Sequence, residues 1–67
     1  MKIEVEILGR ERVSIEVDKG LSLKKIAEKL GIRKNEYIPV VNGRIVTWDY
    51  IVDEEVSLRL VPVVSGG

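Results

Sequence analysis

Only one stretch of this chain repeats its apolar residues at helical spacing, and it lies between runs that alternate. Leu23, Ile26, Ala27 and Leu30 form one stripe, with Lys24, Lys25, Glu28 and Lys29 away from it. On either side the period is two. Ile3, Val5 and Ile7 alternate with Lys2, Glu4 and Glu6, and Val13, Ile15 and Val17 alternate with Ser14 and Glu16. Neither a lone amphipathic helix nor a half-apolar sheet can bury its face alone, so the helix must cover the sheet. The expected class is α+β, with one helix on one face of an antiparallel or mixed sheet. At 67 residues the chain makes one domain with one small core.

Local signals place the boundaries. Strands are expected over Met1 to Leu8 and Arg12 to Val17, joined as a hairpin across Gly9-Arg10. Asp18-Lys19-Gly20 breaks the pattern. Ser22 is a suitable N-cap, because its hydroxyl can accept from an unpaired amide of the first turn. Leu21 and Ile26 suit a hydrophobic staple. Gly31 suits the left-handed residue after the helix, and Ile32 packs back on it. Tyr37 to Val41 is a third strand, turned at Asn42-Gly43 into a short strand Arg44-Ile45-Val46. Thr47 to Glu55 reads as irregular and acidic. Val56 to Val61 is the last strand, with Val56, Leu58 and Leu60 on one face. Pro62 has no amide donor and should weaken pairing there.

Composition narrows the function. Eleven basic residues balance eleven acidic ones and are interleaved with them, which argues against nucleic acid as a direct partner. No apolar run is long enough to span a membrane. Met1 leads straight into charged, alternating sequence, so no signal peptide is expected. Without cysteine there is no disulfide framework, thiolate metal site or thiol nucleophile. A cytoplasmic setting fits best.

Candidate chemistry is sparse. There is no histidine, and Ser14, Ser22, Ser57, Ser65 and Thr47 lack a base, so no catalytic residues are expected and the chain is not read as an enzyme. Asp53-Glu54-Glu55 lacks the spaced oxygen ligands and turn glycine of a cation loop, so no metal is expected there. It reads as a solvated acidic turn or a docking element. No phosphate-binding glycine fingerprint is present, and no cofactor is expected. Trp48 and Tyr50 either cap the core or contact a partner. Lys24, Lys25 and Lys29 are a solvated face or attachment sites for another modifier. Leu8, Val40 and Val61 are harder to place inside. They are edge packing, or an exposed apolar patch that binds a partner.

The sequence closes on Ser65-Gly66-Gly67 after the strand-like run Leu58 to Val64. On its own this is a frayed terminus or a carboxylate arm with no side chain to obstruct its passage into a partner's channel.

The order strand, strand, helix, strand, short strand, strand, together with this tail, resembles the β-grasp proteins of the ubiquitin-like kind. The resemblance covers all 67 residues. Met1-Lys2-Ile3-Glu4-Val5 and Leu8 are similar to the first strand and turn of ubiquitin. Ser57-Leu58-Arg59-Leu60-Val61 and the six-residue arm ending in Gly66-Gly67 are similar to its last strand and tail. Leu8, Val40 and Val61 then fall at its hydrophobic recognition patch. Val41-Asn42-Gly43-Arg44-Ile45-Val46, an acidic turn, Glu55-Val56 and a final Gly-Gly resemble the prokaryotic sulfur carriers of thiamine and molybdopterin synthesis and the small archaeal modifier proteins. Where many carriers have an Asp-Gly-Asp turn, this chain has Val52-Asp53-Glu54-Glu55, which slightly favours the archaeal modifiers.

The resemblance implies a β-grasp domain over residues 1–62 and a flexible tail over 63–67. It implies that Gly67 is adenylated by an E1-like enzyme using ATP. The carboxyl group then becomes a thiocarboxylate, for tRNA thiolation, molybdopterin or thiamine synthesis, or is joined to lysines of target proteins. A sulfurtransferase or pathway enzyme is the further partner. Gly66 and Ser65 carry the tail into the partner, and the patch docks the body. The alternative is a β-grasp protein-binding module with an inert tail.

Overall fold

The computed structural model describes residues 1–7 and 11–63. Strand β1 is Lys2–Ile7 and β2 is Glu11–Glu16. They pair antiparallel, from Lys2 opposite Glu16 to Ile7 opposite Glu11. There follow β3 (Leu21–Ser22), α1 (Leu23–Leu30), a 3-10 turn (Lys34–Glu36), β4 (Tyr37–Val41), β5 (Arg44–Ile45), β6 (Ile51–Val52) and β7 (Ser57–Pro62). The main sheet has the order β2-β1-β7-β4-β5, and β3 pairs with β6 in a separate two-stranded ladder. The last strand is the central one, parallel to β1 and antiparallel to β4.

The helix is specified at both ends. Ser22 Oγ accepts from the Lys25 amide at 3.4 Å. The two preceding amides find carbonyls in the loop before β6, Leu23 N–H at Tyr50 (2.9 Å) and Lys24 N–H at Trp48 (3.1 Å). The first turn therefore has its donors satisfied internally and is not an open anion site. Those same bonds hold Trp48 and Tyr50 where their rings pack on the core. Lys24 Nζ lies 2.8 Å from Asp49 Oδ1 and ties helix and loop a third time. That hydrogen bond, with the charge attraction behind it, holds the Asp49 carboxyl below its usual range and the Lys24 ammonium above its own. At the other end Gly31 sits at φ +70. Its amide reaches the Glu28 carbonyl at 3.2 Å, and the Ile32 amide reaches Ala27 at 2.9 Å. This is the paired closure of a Schellman motif, and it turns Ile32 back onto the core.

Leu23 and Ile26 of α1 pack in one buried cluster with Ile3, Val5, Ile7, Val41, Leu58 and Leu60 of the sheet, and Ala27 is buried as well. Among the described residues no polar or charged side chain is buried. The turn after β4 leaves two residues between Val41 and its partner Arg44. Asn42 (φ +49) and Gly43 (φ +84) are both left-handed, as a type I′ turn requires. Asn42 also extends the central pairing. Its amide donates to the Ser57 carbonyl and its Oδ1 accepts from the Ser57 amide, each at 3.0 Å.

Two local expectations change. Thr47 to Glu55 is not wholly irregular, because Ile51 and Val52 pair with Ser22 and Leu21. A two-residue strand is too short to display a period, so the alternation test does not detect it. Pro62 does not end the last strand, for it pairs opposite Tyr37. Hydrogen bonds at Asn42–Ser57 and Val63–Glu36 fix the phase of this ladder. In that phase Pro39 and Pro62 occupy positions whose amides point away from the partner strand, so neither missing donor breaks it. The 3-10 turn at Lys34–Glu36 had no sequence signal. Of the tail expected over residues 63–67, Val63 is described and its N–H donates to the Glu36 carbonyl at 2.9 Å, and residues 64–67 lie outside the described residues.

Leu23 is fully buried, and Leu23→Ala should cost about 2–5 kcal/mol. For so small a core that approaches the whole stability, and urea denaturation should find the variant largely unfolded. Asn42→Ala removes both the acceptor for Ser57 and a residue tolerant of positive φ, and should cost about 1–3 kcal/mol by the same measurement. Asp49→Asn should cost far less, because the Lys24–Asp49 pair lies on the solvent-exposed surface. The folded carboxyl titrates below its unfolded value. The pair's small contribution is therefore present above the unfolded Asp range and disappears as pH falls through the lowered one. Thermal melts of both proteins across that window should converge.

Candidate functional site

The helix covers one face of the sheet, and the sequence places apolar side chains on the other. In β7, Leu58 and Leu60 face the helix, so Ser57, Arg59 and Val61 face away. In β4, Tyr37, Pro39 and Val41 face the helix, and Ile38 and Val40 face away. Register brings these together. Ile38 is opposite Val61, Val40 is opposite Arg59, and Val40 is opposite Ile45 across the Asn42-Gly43 turn. The outer face of β7, β4 and β5 thus carries Ile38, Val40, Ile45 and Val61 as neighbours. Ile45 is 75% exposed and Ile38 is 38% exposed, whereas Val40 and Val61 are half-buried.

Of the patch residues expected from sequence, Val40 and Val61 are brought onto this face. Leu8 lies outside the described residues. Ile38 and Ile45 were missed. A signal for each was present, since Ile38 shares the parity of Val40 and Ile45 falls opposite it once Asn42-Gly43 is a two-residue turn. The other half of the same face is polar. Glu6 on β1 is opposite both Arg12 on β2 and Arg59 on β7. Its Oε1 lies 3.5 Å from Arg12 Nη2 and 3.6 Å from Arg59 Nε. Exposed pairs of this kind add little stability, typically below about 1 kcal/mol. What they do here is set a charged border beside the apolar group.

The remaining candidates sort simply. Trp48 and Tyr50 pack against the core, as the capping alternative requires. Asp53, Glu54 and Glu55 are exposed and lie in the connection between β6 and β7. Among the described residues no group of acidic, histidine or cysteine side chains is arranged to hold a metal. Nor is any helix there long and apolar enough to cross a membrane. Ser65, Gly66 and Gly67 lie outside the described residues. The strand that leads to them is β7, in the middle of the sheet.

Comparison with known proteins bears on both the fold and the chain end. Molybdopterin converting factor subunit 1, as assigned in Pyrococcus furiosus, superposes with a TM-score of 0.77 at 19% identity, over 94% of this chain and 98% of that one. The small archaeal modifier protein SAMP1 of Haloferax volcanii also superposes at 0.77, with 17% identity and 100% of both chains covered. At such identities these likenesses establish the ubiquitin-like β-grasp fold: a mixed sheet packed on one helix. The model of the ThiS family matches residues 2–67, a span that includes Gly66 and Gly67. Its members are small carrier or modifier proteins rather than catalysts, and the chain belongs to the ThiS family.

Proposed function

We propose that this protein is a sulfur carrier whose working group is the Gly67 carboxylate, activated by a separate E1-like adenylating enzyme. The observation that carries the reading is the family match, which runs through the Gly-Gly end. The central position of β7 supports it, because β7 directs the chain end out of the best-anchored strand of the sheet.

A carboxylate resists attack because its negative charge repels nucleophiles and oxide is a poor leaving group. On the partner enzyme, a Gly67 carboxylate oxygen attacks the α-phosphorus of ATP and pyrophosphate leaves. The product is an acyl-adenylate whose leaving group is AMP. A persulfide sulfur then attacks the carbonyl carbon, AMP departs, and a thiol cleaves the resulting S–S bond to leave a thiocarboxylate. The same adenylate, attacked by a lysine amine directly or through a thioester, gives an isopeptide bond. Conjugation is therefore a second outcome of one activation step, and the likeness to SAMP1 favours keeping it. The pathway that consumes the sulfur is tRNA thiolation, molybdopterin synthesis or thiamine synthesis. All of this takes place in the cytoplasm.

Each part of the chain has a role in this reading. Gly66 and Gly67 have no side chains to block a narrow channel or close approach to ATP. Ser65 precedes them as the last small residue. The body docks through the outer sheet face, with Val40 and Val61 at its centre, Ile38 and Ile45 beside them, and Leu8 as a further member. An apolar group bordered by charges is the usual anatomy of such a surface.

Intact mass spectrometry of the protein purified from its own cells should reveal a form with one oxygen replaced by sulfur. Branched peptides should reveal any Gly67–lysine linkage. Finding neither, even after incubation with the organism's adenylating enzyme and ATP, sinks the carrier reading. Deleting Gly66-Gly67 should abolish function in cells, and survival of function would establish the binding module with an inert tail instead. Ile45→Asp separates docking from folding. At 75% exposure it should change stability by no more than about 0.5 kcal/mol, yet weaken binding to the adenylating enzyme at least about tenfold by calorimetry.

A further inference from the structure

The last strand is held unequally by its two neighbours. Pairing with β1 runs from Glu4–Ser57 to Ile7–Leu60. Pairing with β4 continues through Val61 and Pro62 and is completed by the Val63 amide, which donates to the Glu36 carbonyl at 2.9 Å. Within the described residues the ladder reaches as far as that bond. The Glu36 amide is already bonded to the Arg33 carbonyl at 3.1 Å, and the Tyr37 amide to Lys34. The 3-10 turn thus takes up the one donor, the Glu36 amide, that would return the bond to the Val63 carbonyl. Val63 gives a hydrogen bond to Glu36 and receives none in return.

We propose that the Val63 N–H to Glu36 carbonyl bond is a positioning contact that limits the reach of the Gly67 carboxyl group. Four residues follow Val63, and four residues span at most about 14 Å. The clamp therefore confines the Gly67 carboxyl to within about 14 Å of the Val63 backbone. A partner that docks the sheet face must hold its ATP within that radius. Were the ladder to open back to Leu60, three more residues would join the arm. The carboxyl would then sample a larger volume, and its effective concentration at the partner's site would fall. The Val63 side chain is half exposed, so the backbone amide is the working group. This proposal rests on the reading that Gly67 is adenylated.

Three variants and two measurements test it. Val63→Ala keeps the amide, Val63→Pro removes it, and a Gly-Ser insertion between residues 63 and 64 keeps the clamp but lengthens the arm. Amide exchange by NMR on the isolated protein should find Val63 slowed at least about tenfold relative to an unstructured chain. ATP-dependent pyrophosphate release is then followed with the adenylating enzyme of the same organism. Val63→Ala should stay within about twofold of the parent. Val63→Pro and the insertion should each lose about tenfold in kcat with KM nearly unchanged, since docking of the body is intact. An unprotected Val63 amide, or Val63→Pro with the kcat of Val63→Ala, overturns the positioning role. If Val63→Pro also loses exchange protection at Leu58, the insertion decides, and a parent-like kcat for it overturns the proposal. If the parent protein is not adenylated at all, the activation reading itself fails, and protection of Val63 then reports a clamp without that use.

Discussion

The burial of the α1 stripe against one face of the sheet is the contact on which everything else depends. Leu23 and Ile26 close over Ile3, Val5, Ile7, Leu58 and Leu60, and among the described residues no polar side chain is buried with them. Among the described residues there is one α-helix, and it covers one face of the sheet. The outer face is therefore a by-product of the core. Its apolar members, Ile38, Val40, Ile45 and Val61, lie there because Tyr37, Pro39, Val41, Leu58 and Leu60 point inward. Strand parity converts a packing requirement into an external surface.

The same topology bears on how a member of a family of small carrier or modifier proteins presents its chain end. The last strand is central, bonded on both sides, so the chain end leaves from the most firmly held element of the domain. On the proposed reading the chemistry belongs to the partner, and this protein contributes a docking face and an unobstructed carboxyl group. Precision in such a carrier is a matter of geometry. On that reading what counts is how the chain end is held relative to the face that docks, and the last described contact is the Val63–Glu36 bond beside the 3-10 turn.

Much of the fold was legible because its signals are local. Ser22, Gly31 and Ile32 act within one or two turns of the helix they bound, and Asn42-Gly43 encodes its turn through backbone angles that only a few residues tolerate. The elements that escaped sequence reading depend on distant partners. Ile51 and Val52 become a strand only because Leu21 and Ser22 lie beside them. Pro62 stays in the sheet only because the phase of the β4–β7 ladder turns its missing donor aside. Of the candidate patch, Val40 and Val61 could be suspected from their odd placement. Ile38 and Ile45 needed the register.

By itself the sequence determined the class of the fold, the single helix and its caps, the tight turn and the Gly-Gly end, because period, capping chemistry and backbone tolerance are properties of neighbouring residues. It also determined that the chain carries no histidine or cysteine for chemistry of its own. Only the tertiary structure decided which apolar residues share the outer face, that Glu6 bridges Arg12 and Arg59 beside them, and that the described part of the last strand ends on the Val63–Glu36 bond. Those are matters of register between strands far apart in the chain. Register is set by the packing of the whole core, and no local pattern encodes it.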